Sequence, residues 1–262
     1  MKSWTELLVI ILLDLTAIML IGLQIHLLGW LLFILGVILL FFCNKQCRKD
    51  FFLLYFSIGL LGITPITTNI SYEHIFLMGI PLTLAIAVPY LVSRYVYKDY
   101  LVRFKFHHGR RWYKKEIAYI FFTAIVAYFI IPFFLKNTGS YHNWTVQPGF
   151  SYLIRLSLGT NFLGIWDELF FISTVLGIVR RYLSFPVANF VQSILFTSFL
   201  YELGFRGWGF IMIFLFALIQ GYIFKKTESL FYIITIHLTI DFILYLALLH
   251  AYYPSWVPIF LQ

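Results

Sequence analysis

The sequence predicts an all-α fold, a polytopic transmembrane helical bundle of about eight or nine spans, and three observations carry that prediction. Hydrophobic residues make up 61% of the 262 positions, aromatic residues 21% and charged residues only 11%. That leaves too little polar surface to coat a water-soluble globule of this length. Apolar runs of about twenty residues recur along the chain, which is the length a helix needs to cross a hydrocarbon core. The short alternating strands of a membrane barrel are not visible.

Taken in order, the first two runs, residues 7–23 and 27–43, read as a tight hairpin pivoting near residues 24–29. The first run is too long, and too lacking in a small-residue cleavage site, for a signal peptide, so it is expected to stay in the chain. Cys43 and Cys47 follow in CNKQCRKD, beside Lys45, Arg48 and Lys49. A CxxxC pair with no further Cys or His nearby is a weak metal signal, and two reduced thiols at a cytoplasmic face are the simpler expectation. Residues 51–67 form a third run, and residues 74–96 a fourth in which Pro81 and Pro89 predict kinks. The basic loop KDYLVRFKFHHGRRWYKKE spans 98–116. A fifth run covers 117–134 and is followed by the polar loop LKNTGSYHNWTVQPGF, after which runs lie near 160–179, 185–203, 207–224 and 229–249. The chain divides into residues 1–135, transmembrane helices with the basic loop, and residues 150–250, a core carrying a polar site. Together they are expected to form one integral membrane domain.

Orientation follows from Lys and Arg, whose excess marks cytoplasmic loops. Placing Lys45, Arg48 and Lys49 inside also puts the 98–116 loop, Arg180 with Arg181, and Lys225 with Lys226 inside. The N-terminus is then cytoplasmic and the C-terminus outside, and the expected location is the bacterial plasma membrane. The net charge of +8 sits mostly in these loops, so it reads as a topology signal and as contact with anionic lipid. The expected partners are the lipid bilayer and a membrane peptide or protein; no nucleic acid is expected. His107, His108, Arg110 and Arg111, flanked by Phe106 and Trp112, could lie on the membrane surface, with a solvated loop as the simpler alternative. Asp14, alone in the first run, reads as a helix-packing hydrogen bonder rather than part of a pore.

The last third of the chain is different. Asp167 and Glu168 lie in NFLGIWDELFFISTVLGIVRR, Glu202 in SILFTSFLYELGFRG, and His237 and Asp241 in SLFYIITIHLTIDFILYLALL. An ionisable group in a bilayer costs about 3 kcal/mol even on the gentlest scale and is usually kept for a task or a partner. Five of them in three of the last four apolar segments predict a buried polar site.

DELFFISTVLGIVRRYL, then SILFTSFL, then LIQGYIFKKTESLFYIITIHLTID resemble the CPBP family of CAAX proteases and bacteriocin-processing proteins, also called Abi. Its signatures run E-E-x-x-x-R, F-x-x-x-H and H-x-x-x-N/D, and the likeness covers about residues 160–245. Asp167 and Glu168 fall on the paired glutamates and Phe196 on the phenylalanine, while His237 and Asp241 fall on the last pair. The arginine position is Ile172 and the F-x-x-x-H histidine position is Leu200. The resemblance implies an intramembrane peptidase in which the first glutamate and that histidine activate a water and the last pair holds the oxyanion. Asp167, Glu168, His237 and Asp241 are therefore the catalytic candidates.

Such chemistry needs a base, something to tune it, and donors aimed at developing negative charge. His237 and Asp241, four apart, share one helix face. Glu168 shares a face with Ile172 in the same way, so the cation that would keep two adjacent carboxylates ionised is replaced by hydrocarbon. Leu200 neither donates nor accepts a proton. Asp167 is one methylene shorter than glutamate, and a misplacement of about 1 Å costs on the order of a hundredfold in rate. Glu202 and Arg206 mimic E-x-x-x-R but are expected simply to pair. A divalent metal on the four candidates is chemically possible, yet a single imidazole and the lack of H-E-x-x-H argue against it, so no metal and no cofactor are expected.

Two readings from different classes follow. One is an active intramembrane endopeptidase with Asp167 or Glu168 as base. The other is a relative with reduced or lost catalysis that keeps the pocket to bind a membrane peptide, as a scaffold, a bacteriocin-immunity factor or a regulator. The residue chemistry favours the second. A small-solute transporter also fits buried acids but lacks a visible inverted repeat.

Overall fold

The computed structural model describes residues 4–107 and 109–260, so His108 of the basic loop lies outside the described residues. Among the described residues the chain is helical, with no strand, and its helices fall into nine rods. They are α1 (Trp4–Gly22), α2 (His26–Leu40), α3 (Lys45–Ile63), α4 (Tyr72–Val96), α5 (Lys114–Thr138), α6 (Phe150–Val179), α7 (Phe185–Glu202), α8 (Gly209–Thr227) and α9 (Leu230–Tyr252). All of them except α2, α3 and α7 are long and apolar enough to cross a membrane. α2 is apolar but has only 15 residues, about 22 Å of helix. α3 opens on Lys45, Arg48, Lys49 and Asp50, and α7 turns Asn189, Gln192 and Ser193 inward.

Local chemistry sets the boundaries. Gln24 takes a left-handed backbone, φ 52°, where α1 reverses into α2. The Asn44 side chain accepts the Cys47 N–H and Ser71 accepts the His74 N–H, capping α3 and α4. Glu116 reaches back to the Tyr113 N–H at the start of α5, and α5 ends on Gly139 at φ 67°. Pro81 and Pro89 sit inside α4 without ending it. A proline leaves the carbonyl four residues earlier without its donor, and the Ser57 hydroxyl takes the one Pro89 frees, donating to Ala85 O at 2.7 Å.

α6 departs most from expectation. It begins at residue 150, not near 160, because Phe150–Gly159 continues the helix as a less apolar turn in which the Arg155 guanidinium lies over the Tyr72 ring at 4.4 Å. Across Glu168–Val175 its geometry also widens to a π-helix.

α5 packs chiefly on α9, α7 on α8, α1 on α2, α3 on α4, and α6 on α9. Residues from both 1–135 and 150–250 contribute to one buried cluster. The basic loops gather at one end of this bundle. Arg181 pairs with Asp50 at 2.8 Å and with Asp99 at 3.5 Å, and the Tyr182 hydroxyl donates to Asp50 at 2.6 Å. The α4–α5 loop is docked rather than simply solvated: Lys105 O and Phe106 O accept the N–H groups of Leu230 and Phe231, the first turn of α9. Val102 is buried, Lys105 pairs with Glu228 at 3.1 Å, and the Trp112 ring meets Tyr232 edge-on at 5.3 Å. Burial pushes the Asp99 carboxyl up, but the Ser93 hydroxyl, the Leu101 N–H and Arg181 outweigh it and hold Asp99 below the ordinary carboxylate value. Cys43 and Cys47 are free thiols, buried in the core rather than presented at a face.

Candidate functional site

Asp167 closes the α-helical part of α6 and Glu168 opens its π segment, so both carboxylates sit where the helix widens. Inserted turns of this kind recur at functional sites because they re-aim side chains without ending the helix. Both residues are buried, Asp167 at 1% exposure and Glu168 at 0%.

α9 brings the partners. His237 Nδ1 lies 2.8 Å from Glu168 Oε1, and its Nε2 lies 3.9 Å from both Asp167 Oδ2 and Asp241 Oδ1. The four residues singled out in the sequence therefore converge on one imidazole. The i, i+4 spacing of His237 and Asp241 along α9 aims both at α6. Gly164, one turn before Glu168, makes the approach possible: a Cβ there would stand 2.1 Å from Asp241 Oδ2 and 3.2 Å from His237 Cδ2.

α8 supplies a residue that the motif reasoning did not single out. Gln220, fully buried, donates from Nε2 to Glu168 Oε1 at 2.8 Å and to Ile233 O at 3.1 Å, tying α6, α8 and α9 together. The amide shares Oε1 with the imidazole. One hydrogen is shared between Glu168 Oε1 and Nδ1 of the imidazole, and the opposite ring nitrogen, Nε2, faces Asp167 and Asp241. Phe196 lies nearly parallel to the imidazole, 29° between planes, and Phe216 meets it edge-on at 5.0 Å. The signal for Gln220 was available, since LIQGYIF places one amide in an otherwise apolar helix.

The two departures from the family signatures are buried with the site. Ile172 is 1% exposed and Leu200 is 7% exposed. Leu200 lines a cavity of about 500 Å³ whose floor includes Asp167, Gln220, His237 and Asp241. Above the floor the walls are aromatic and aliphatic, among them Trp144, Phe205 and Trp208. Asp14 is buried in α1 and is not among the lining residues. Glu202 and Arg206 form the expected i, i+4 pair at 3.2 Å. Among the described residues no group of three or more His, Cys, Asp and Glu side chains is arranged to hold a metal ion.

Residues 149–243 match the family model described as type II CAAX prenyl endopeptidase, Rce1-like. Neither the curated proteins nor the solved structures include a match to the chain. The matched stretch runs from the start of α6 to just past Asp241 and so contains every polar residue of the cavity floor. With six long apolar helices and a cavity floor that lies within an Rce1-like region, this is an integral membrane protein consistent with the CPBP family.

Proposed function

We propose that this chain uses a CPBP-type intramembrane peptidase fold to bind membrane-associated peptides, with cleavage reduced or lost. One observation carries the reading: beside the polar floor, the cavity wall at Leu200 is hydrocarbon where proton transfer would need a base. The remaining groups do not replace it well. An oxyanion needs hydrogen-bond donors, yet Asp241 donates only when protonated, and Nδ1 of His237 is already taken by Glu168. Ile172 leaves Asp167 and Glu168 without a cation one turn further along their helix. What remains suits binding, because peptide N–H groups entering an apolar cavity need acceptors, and the floor offers carboxylate oxygens.

An active endopeptidase is the second reading, and the 2.8 Å contact between Glu168 and His237 favours it. A carboxylate that fixes an imidazole tautomer is a common way to prepare an acid–base group. The experiment is cleavage of a fluorogenic transmembrane peptide by purified protein in detergent. The unaltered chain is expected to stay at background, and Leu200→His with Ile172→Arg to rise above it. Robust cleavage by the unaltered chain, abolished by His237→Ala, overturns the binding-only reading. Capture of the same peptide is expected to be lost in Asp167→Ala/His237→Ala protein that still inserts normally.

A further inference from the structure

We infer that the cavity floor binds a primary ammonium group and that its occupant is a single-chain amphiphile carrying that head, taken up from the lipid phase. The inference goes beyond peptide binding: it rests on the floor and the mouth of the cavity and requires no peptide.

The floor is short of donors. Asp167, 1% exposed, and Asp241, 8% exposed, both line the cavity. Oδ1 of Asp167 and Oδ2 of Asp241 have no hydrogen-bond partner. The other oxygen of each lies 3.9 Å from the same Nε2 atom of His237, beyond hydrogen-bonding range. Buried polar atoms are rarely left this way, and each case asks for a missing partner. Among the described lining residues there is no Lys or Arg to supply one.

A primary ammonium brings three donors and no acceptor, as a lysine head does. Seated against Asp167 and Asp241, it would offer hydrogens to carboxyl oxygens that have no donor, where a neutral alcohol brings only one. Phe216, beside His237, and Trp144, Phe205 and Trp208 also line the cavity. At about 500 Å³ the cavity falls within the usual range for a small ligand.

The mouth indicates where the chain part goes. Phe122 of α5 and Leu215 and Ile219 of α8 line the cavity, yet they are 58%, 51% and 46% exposed on the outer surface of the bundle. The cavity therefore borders the lipid-facing surface between α5 and α8, and an alkyl chain can lie across that gap.

The test titrates purified protein in detergent with decylammonium, decanol and decyl sulfate, read by tryptophan fluorescence, since Trp144 and Trp208 line the site. Decylammonium is expected to bind at least about tenfold tighter than decanol, the factor that one charge-assisted hydrogen bond supplies. Asp167→Asn/Asp241→Asn is expected to erase that difference. Leu215→Trp, on the exposed mouth and away from the floor, is expected to weaken decylammonium binding and provides an independent check if the double variant does not insert. Equal affinity for decanol or decyl sulfate, an ammonium preference that survives in the double variant, or EDTA-reversible displacement of the amine by Mg²⁺ or Zn²⁺ each overturns the inference. Peptide capture without any ammonium preference sinks this inference alone and leaves the peptide reading standing.

Discussion

Glu168 is the residue on which the site turns, because its Oε1 is the carboxylate oxygen that meets the imidazole at hydrogen-bond distance. Oε1 holds His237 Nδ1 and the Gln220 amide, each at 2.8 Å. Asp167 and Asp241, by contrast, meet the imidazole only at 3.9 Å. Glu168 therefore orients the ring, while neither aspartate reaches it at hydrogen-bond distance. All of this depends on the absence of a side chain at Gly164. Gly164→Ala sets a Cβ 2.1 Å from Asp241 Oδ2, and overpacking of this kind costs about 1–3 kcal/mol. The expected outcome is a lower thermal midpoint in detergent together with weakened ligand binding. An unchanged midpoint and unchanged binding would mean that α6 and α9 part without cost and that the close approach is unimportant. Asp167, Glu168, His237 and Asp241 were legible in the sequence because an ionisable group in a bilayer is expensive. Gly164 was not, since a glycine in a membrane helix is ordinary until its neighbour is known, and Gln220 was visible as the one amide of LIQGYIF but without a partner to give it a role.

At the scale of elements, the π segment of α6 and the docked α4–α5 loop hold the site helices in place. The loop occupies the first-turn N–H groups of Leu230 and Phe231, so the entry of α9, two turns ahead of His237, is fixed from outside the core. Its base is anchored by Asp99, which accepts from Ser93 Oγ at 2.8 Å and meets Arg181 at 3.5 Å. Because the folded Asp99 carboxyl titrates below its ordinary value, its contribution is full above the unfolded pKa of about 3.9 and fades as pH falls through the folded one. The protection of amides in residues 98–106, taken relative to the intrinsic exchange rate at each pH, is expected to fall below about pH 4, and Asp99→Asn is expected to show the lower protection already at neutral pH. Protection that is indifferent to both changes would show that the loop is held by Val102 and Trp112 alone. Helix positions were legible from apolar length. The early start of α6 was not, because Phe150–Gly159 carries Arg155, whose guanidinium is accommodated by Tyr72 of α4. Nor was the docking of the basic loop, which depends on N–H groups presented by a helix more than a hundred residues away.

For the whole molecule, the ion pairs tie the basic loops to one end of the bundle: Arg181 joins α3 and the α4–α5 loop, and Lys105 joins that loop to the α8–α9 turn through Glu228. Residue 103 lies close to Lys105, which pairs at 3.1 Å with Glu228 beside residue 226, and α5 runs from that end to residue 142. Single cysteines at Arg103 and Lys226 are therefore expected to react with an impermeant thiol reagent from one side of the membrane, and a cysteine at His142 from the other. Cys43 and Cys47 are buried and give a quiet background. Labelling of Arg103 and Lys226 positions from opposite faces would break the topology.

The sequence by itself determined that this chain lives in a bilayer, where its helices lie, and which few side chains are too costly to be there without purpose, because hydrophobic length and the cost of buried charge are local properties. Only the tertiary structure decided that α6, α8 and α9 bring those side chains to one imidazole, that Gln220 joins them, and that two aspartates face a lipid-bordered cavity without donors. The reason is physical: a hydrogen bond between residues 168 and 237 is set by how three helices pack, and packing is a relation between distant segments that no single segment encodes.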